Sequence, residues 1–188
     1  MAYFPAFLKL DDKKIAIIGG GNIAFEKLIK LLDFTNDITI IAKDISDKII
    51  KLSKKYNLDI QKKSYEIGDI DNFDIIVIAI DDIVLQEEIY LEAKQKHILC
   101  NAVDSVKYCD FIFPSYIKDG DLTICVSTSG ASPAVAKHLR RYIQNLLPKD
   151  INTFLEKMKK LRVSLPKGED RMKLLDSKVK EYFSKDKH

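Results

Sequence analysis

A run of four apolar residues leads directly into three consecutive glycines near the start of this chain. Residues 15–18 read Ile-Ala-Ile-Ile, and Gly19, Gly20 and Gly21 follow them. Residues 23–32 then carry apolar side chains at helical spacing. The pattern predicts a strand, a tight turn and the start of a helix, which is the first unit of many α/β sheets.

The spacing of the small residues in this turn matches a dinucleotide-binding fingerprint. Gly19 permits the tight turn, Gly21 lets a phosphate approach the backbone, and Ala24 lets the helix pack closely on the strand. The N–H groups and the dipole at a helix N-terminus favour an anion. The pattern therefore predicts a bound dinucleotide, with a purely structural turn as the alternative.

Strand and helix signals alternate as far as residue 101. The predicted strands are 14–18, 37–42, 58–62, 74–80 and 97–101, and the predicted helices are 23–32, 44–55 and 83–96. This alternation predicts an α/β fold with a Rossmann-like, doubly wound parallel sheet. We expect residues 58–62, the weakest strand signal, at the periphery of that sheet.

The pattern changes after residue 110. Short strands at 115–118 and 121–127 flank an Asp-Gly turn, which predicts an antiparallel hairpin. A helix is predicted from Pro133 to residue 147, with Ser132 as its N-cap. Two amphipathic helical stretches follow, and their apolar stripes are expected to pack within this chain or against a twin subunit.

The composition excludes several classes of protein. The formal net charge of +3 is too small to indicate nucleic-acid binding, and no apolar run is long enough to cross a bilayer. The N-terminus lacks a basic region followed by an apolar stretch. We therefore expect a cytoplasmic protein with no nucleic-acid or membrane partner.

Three cysteines, Cys100, Cys109 and Cys125, lack the close pairing of a zinc site or a disulfide framework. We predict that Cys100 and Cys125 are buried as small apolar residues, and we predict no metal ligands. His97, expected at the start of a strand, and His138 are interpreted as structural residues.

Two acidic positions are candidates for chemistry. Asp44 lies about 20 residues past the glycines, where a ribose-binding carboxylate is expected, although it can equally cap the next helix. Its neighbour Lys43 leaves a 2′-phosphate on the ribose as an alternative. Asp104 follows the fifth strand, where ligands of doubly wound sheets bind; it can accept a proton, orient a substrate, or simply cap its own turn.

Polar residues near the last predicted helix are candidates for binding a substrate. Thr128 and Ser129 precede that helix and either cap it or line a pocket for carboxylates. Lys137, Arg140 and Arg141 follow on the helix, where they either pair with carboxylates or form a solvated basic face.

Taken together, these segments resemble the dehydrogenase module of siroheme synthase, the precorrin-2 dehydrogenase and sirohydrochlorin ferrochelatase family. The resemblance covers most of the chain in order and is far more specific than the glycine motif alone. It is carried by residues 4–8, 14–24 with Lys27, 100–104, 111–115 and 127–133.

This resemblance implies the NAD-dependent oxidation of precorrin-2 to sirohydrochlorin, and in some members the transient handling of Fe²⁺ during chelation. It implies a homodimer built from a Rossmann-like domain (1–112), a dimerisation region (113–147) and a helical C-terminal region (148–188). The resemblance implies Asp104 as the catalytic residue, cofactor contacts at Asn22, Ile23, Lys43 and Asp44, and a hydroxyl that faces the pocket at Thr128. The residues read from the sequence itself complete the candidate site, with Gly19 and Gly21 at the cofactor and Asn101, Ser129, Lys137 and Arg140 at the substrate.

Two other functions fit the glycine motif. One is a different NAD(P)-dependent oxidoreductase that acts on a smaller substrate. The other is a non-catalytic nucleotide-sensing module, which explains residues 19–24 but neither the segment around Asp104 nor the long C-terminal extension.

Overall fold

Residues 3–185 are described by a computed structural model, and they divide into two compact units. The first unit is Tyr3–Ile112 and the second comprises 113–185. In the first unit the elements are, in chain order, β1 (Ile15–Ile18), α1 (Asn22–Leu32), β2 (Ile38–Ile41), α2 (Asp47–Tyr56), β3 (Asp59–Gln61), β4 (Ile75–Ile78), α3 (Ile83–Gln95), β5 (Leu99–Ala102) and a short 3₁₀ helix (Val106–Tyr108).

The five strands of the first unit form one parallel sheet in the order β3-β2-β1-β4-β5. The order reverses at β1, so the sheet is doubly wound as predicted. Ile18 of β1 is in register with Ile41 of β2 and Ile78 of β4, and Ile78 is in register with Ala102 of β5. Four strands therefore end at the same edge of the sheet.

The core of this unit lies on both faces of the sheet. Every residue of β1 and β4 is buried, which occurs when both faces of a parallel strand are covered. Helix α1 buries Ala24, Leu28 and Leu31, which lie one above another at helical spacing. Packing of α1 on the sheet fixes the direction in which its N-terminus points.

The second unit contains an antiparallel hairpin and three helices. Its elements are β6 (Ser115–Asp119), β7 (Leu122–Val126), α4 (Pro133–Leu146), α5 (Ile151–Ser164) and α6 (Glu169–Lys185). Ser132 caps α4, its Oγ accepting from the Val135 N–H at 3.3 Å, as predicted. Helices α5 and α6 pack on each other, with the rings of Phe154 and Tyr182 stacked 3.8 Å apart.

Three local predictions differ from the structure. Helix α2 begins at Asp47 and not at residue 44, and its N-cap is Ser46, which excludes the capping alternative for Asp44. His97 lies in an exposed turn with a φ of +57°, two residues before β5 begins. Cys125 is exposed, because it alternates with the buried Val126 along β7 and so points to the uncovered face of the hairpin. Cys100 is buried, as predicted.

Candidate dinucleotide and Asp104 site

The turn after β1 requires glycine at two positions. Gly19 has a φ of +123°, and a Cβ atom built on it falls 2.2 Å from the carbonyl oxygen of Ala79. A Cβ on Gly20 falls 2.1 Å from the carbonyl oxygen of Asp44. The chain after β1 therefore packs directly on the backbone that follows β4 and β2, which holds the start of α1 at the edge of the sheet.

Gly21 has open space where the other two glycines have backbone. It is the N-cap of α1, and a Cβ built on it meets nothing within 4 Å. The first helical bond runs from the Phe25 N–H to the Gly21 oxygen at 3.1 Å, so the N–H groups of Asn22, Ile23 and Ala24 precede it. An uncapped helix N-terminus beside open space fits a pyrophosphate.

Lys43 and Asp44 lie in the turn between β2 and α2, and both are exposed. The Ser46 N–H in the same turn donates to the Gly20 oxygen at 2.9 Å. That bond places the end of β2 beside the glycine turn, on the side where the adenosine ribose of a dinucleotide binds in this kind of sheet.

Asp104 lies in the turn that follows β5 and is exposed. Its φ is +61°, a left-handed conformation that Asp adopts more readily than most residues. It lines a cavity of about 200 Å³ together with Ile23 of α1 and Ala79, which follows β4. The structure thus brings Asp104 to the same cavity as Ile23, one of the predicted cofactor contacts.

Two side chains that flank this turn fix its shape. The Cys109 thiol shares its single proton between the carbonyl oxygens of Ala102 at 3.0 Å and Ser105 at 3.2 Å, on either side of Asp104. Burial raises the pKa of the Cys109 thiol, so it remains a protonated donor at neutral pH. Asn101 is 5% exposed, and its Nδ2 donates to the Phe111 oxygen at 2.8 Å.

These contacts assign Asn101 and Cys109 to holding the turn, while a substrate contact of Asn101 stays a prediction. Sequence reasoning missed Cys109. Its role depends on the fold back to β5, and the only signal in the sequence is its position shortly after the 100–104 segment.

Lys27 is a half-buried cation near Asp104 that sequence reasoning placed in a motif but not in the site. It follows Ile23 by four residues, so both lie on one face of α1. Burial lowers the pKa of Lys27, as does Lys30, while the negative charge of Asp104 opposes the shift. Lys27 thus contributes positive charge on the side of α1 that faces Asp104.

The predicted hydroxyl residues lie in the second unit, in a loop closed by its own hydrogen bonds. The Thr128 Oγ1 accepts from the Ser132 N–H and donates to the Ser132 oxygen, both at 3.1 Å. Ser129 is exposed, has a φ of +50° and donates its N–H to the Ser127 Oγ at 3.1 Å. Both readings of this loop stay open, since Thr128 closes the turn while Ser129 faces solvent.

The predicted basic residues lie on α4 in the same unit. Lys137 and Arg141 are exposed, and Arg140 is half-buried with its Nη1 donating to the Gln144 Oε1 at 2.8 Å. Their charges are available to an acidic ligand, and this exposure equally fits a solvated face.

The part of the chain that the structure describes holds neither a metal cluster nor a membrane-spanning helix. Among residues 3–185 no three His, Cys, Asp or Glu side chains come together as a metal site. Within the same part of the chain, no helix is both long and apolar enough to cross a membrane.

The sheet order, the glycine turn and the open N-terminus of α1 define a Rossmann-like nucleotide-binding protein. A family model described as "Putative NAD(P)-binding" matches residues 6–115, and a second, "Sirohaem biosynthesis protein central", matches residues 119–146. The chain belongs to this NAD(P)-binding family, and its predicted resemblance to siroheme synthase is confirmed. A nicotinamide dinucleotide is thereby supported as the class of cofactor.

Curated relatives agree with both matches. The chain is 37% identical over 153 residues to a siroheme synthase of Methylococcus capsulatus, covering 81% of this chain and 32% of the relative. It is 31% identical over 156 residues to a siroheme synthase of Zymomonas mobilis, covering 83% of this chain and 33% of the relative. The chain thus spans about a third of the length of these relatives.

A solved structure named "SirC, precorrin-2 dehydrogenase" shares the fold. It superimposes with a TM-score of 0.75 at 23% identity, covering 93% of this chain and 88% of that one. This likeness confirms the predicted fold class.

Proposed function

We propose that this protein oxidises precorrin-2 to sirohydrochlorin with NAD as the acceptor. The observation that carries the proposal is the shared cavity of Asp104 and Ile23, beside a helix N-terminus suited to a pyrophosphate. The siroheme synthase relatives and the name of the structural neighbour support this choice of substrate.

The cofactor supplies hydride acceptance, and the protein supplies binding and orientation. We assign the pyrophosphate to the N–H groups of Asn22 and Ile23, with Gly19 and Gly21 making room for it. Asp44 accepts a hydrogen bond from the adenosine ribose 2′-hydroxyl and repels a 2′-phosphate, which favours NAD over NADP. The positive charge of Lys43 attracts a 2′-phosphate and so opposes that preference. The ratio of the affinities for NAD and NADP therefore measures which of the two side chains dominates.

Asp104 is proposed as the catalytic residue. Dehydrogenation removes a hydride and a proton from the reduced tetrapyrrole, and the exposed carboxylate of Asp104 accepts the proton or holds a pyrrole N–H in place. The thiol of Cys109 and the amide of Asn101 hold the turn that presents it.

The substrate bears many carboxylates, so the proposed binding residues are polar or cationic. Lys137 and Arg140 pair with carboxylates, Arg140 in a two-pronged manner. Ser129, which is exposed, contributes a hydroxyl, and Thr128 is the second hydroxyl residue of the same loop. Asn101 completes the predicted set, with its Nδ2 already engaged at Phe111.

A homodimer is also proposed, supported by an apolar stripe on α4. The stripe comprises Val135, Leu139, Tyr142 and Leu146, which are between 44% and 65% exposed. These residues recur at one face of the helix. A second copy of this chain covers such a stripe in the arrangement that the family resemblance implies.

The test is an anaerobic assay of purified protein with precorrin-2 and either NAD or NADP, without metal. We expect sirohydrochlorin and reduced cofactor to form together, faster with NAD. Adding Fe²⁺ or Co²⁺ afterwards measures chelation as a separate activity. Cofactor binding without tetrapyrrole turnover would favour a different oxidoreductase or a sensing module.

A further inference from the structure

Gln86 is a buried polar residue whose role the proposed reaction leaves unexplained. It lies one turn into α3, is 5% exposed, and lines the same cavity as Ile23 and Asp104. Its Nε2 donates to the carbonyl oxygen of Ile80 at 2.7 Å. A polar side chain is therefore committed to the wall of the cavity.

The orientation of the Gln86 amide follows from that bond. A backbone carbonyl oxygen only accepts, so the NH₂ group must face Ile80 and the Oε1 atom must point elsewhere. Within residues 3–185 the buried Oε1 has no hydrogen-bond partner. Burying an unsatisfied acceptor is unfavourable, and a ligand bound in this cavity would supply the missing donor.

The sheet order indicates which part of a dinucleotide reaches this wall. The pyrophosphate lies at the start of α1, over β1, and the adenosine ribose lies toward Asp44 at the end of β2. Gln86 and Ile80 lie on the other side of β1, where β4 ends. The nicotinamide half of the cofactor therefore extends toward Gln86.

We propose that the Gln86 Oε1 accepts a hydrogen bond from the nicotinamide nucleoside half of the cofactor. This inference rests on the proposed function, since it requires a nicotinamide dinucleotide at α1. Two groups in that half offer the needed donor, namely the carboxamide NH₂ and the ribose hydroxyls. Gln86 is thus a positioning residue that orients the nicotinamide relative to Asp104.

The test measures dissociation constants of wild-type protein and Gln86→Met for NAD, deamido-NAD, ADP-ribose and ADP. Met keeps the length of the side chain but offers no comparable acceptor. Gln95→Met is the matched control, because Gln95 is exposed on the same helix and does not line the cavity. Wild-type binding of NAD is measured first, since its absence refutes the proposed function itself.

We expect Gln86→Met to bind NAD about fivefold more weakly, as loss of one net hydrogen bond implies, and to bind ADP as wild type does. If the carboxamide is the donor, deamido-NAD binds wild type and variant equally. If a ribose hydroxyl is the donor, ADP-ribose also binds the variant more weakly. Unchanged NAD affinity, or equal losses for NAD and ADP, overturns the proposal.

A measurement on the wild-type protein covers the case in which Gln86→Met fails to fold. The side-chain NH₂ resonances of Gln86 are followed by ¹⁵N NMR during titration with NAD and with ADP. We expect NAD to shift them and ADP to leave them unchanged. Identical responses to both nucleotides would overturn the assignment.

Discussion

The backbone N–H of Ser46 donates a 2.9 Å hydrogen bond to the carbonyl oxygen of Gly20. This bond joins the turn after β2 to the turn after β1. The two backbones lie so close that a side chain on Gly20 would clash with Asp44. Gly21, the next residue, faces open space. The protein's own backbone therefore excludes a side chain at Gly20 but not at Gly21.

Replacing Gly21 by Ala is expected to weaken NAD binding at least tenfold while leaving the fold intact. The added methyl group meets no protein atom within 4 Å, and it occupies the space assigned to the pyrophosphate. Titration with NAD and a thermal melt measure the two effects. Tight NAD binding by Gly21→Ala would show that the phosphate lies elsewhere.

Gly20→Ala is the opposite case and serves as the matched comparison. Its methyl group would lie 2.1 Å from the Asp44 oxygen, so the two turns must separate. We expect the free energy of unfolding to fall by roughly 1–3 kcal/mol, the typical cost of overpacking, and the melting temperature to fall with it. A melt unchanged from wild type would mean that the two turns are not held together.

Cys109→Ala is expected to loosen the turn that carries Asp104. The substitution removes the thiol donor to the Ala102 and Ser105 oxygens, which costs about 1 kcal/mol of stability. Because Asp104 is then held less firmly, the turnover rate should fall more than the affinity for NAD. Cys109→Ser is the control because it retains a donor. Equal behaviour of the two variants would show that the hydrogen bonds do not matter.

Glu92 is a buried carboxylate on α3 that supports the unit through three donors. It accepts from the Tyr65 hydroxyl, from the Gly68 N–H at 2.9 Å and from the Lys96 Nζ at 2.8 Å. Burial opposes its ionisation, but these donors outweigh burial and keep the pKa of Glu92 below its usual value.

Glu92→Gln is therefore expected to lower the free energy of unfolding at pH 7 by about 1–3 kcal/mol. A carboxyl whose pKa is lower in the folded state stabilises above its unfolded pKa, and that stability is lost as pH falls through the folded pKa. The difference from wild type should shrink on acidification in urea melts. Glu88→Gln, at an exposed position on α3, should change little, and a pH-independent difference would contradict this explanation.

Leu139→Glu is expected to convert a dimer into monomers. Leu139 lies in the middle of the exposed α4 stripe, so a charge there would be buried unpaired in the interface. Light scattering after size exclusion measures the mass. Arg141→Glu, outside the stripe on the same helix, should remain dimeric, and a monomeric wild type would refute the homodimer.

Much of the fold follows from local patterns. The wholly apolar segments at β1 and β4 indicated strands, and Ser132-Pro133 indicated where α4 begins. Asp44 was harder, because a carboxylate before a helix suits both a cap and a ribose; the structure places Ser46 at the cap. Cys125 was predicted to be buried because it is small and apolar. That prediction was wrong because the sequence gives no sign of which face of the hairpin is covered.

The site was only partly visible in the sequence. The position of Asp104 followed from the end of a strand, which is a local feature. The contributions of Cys109 and Gln86 could not be predicted. That of Cys109 depends on where the chain returns to β5, and that of Gln86 depends on the carbonyl oxygen of Ile80 beyond the end of β4. Such tertiary hydrogen bonds leave no periodic signal.

The most direct test of the proposed reaction is the initial rate of sirohydrochlorin formation from precorrin-2 and NAD, under anaerobic and metal-free conditions, for wild type and Asp104→Asn. We expect wild type to form sirohydrochlorin and NADH in equal amounts. We expect the variant to bind NAD normally. Its rate should fall by at least about 100-fold, as loss of a positioned acid or base implies. If wild type binds NAD but forms no product, the proposed function is contradicted. If the variant reacts as fast as wild type, the role of Asp104 is contradicted.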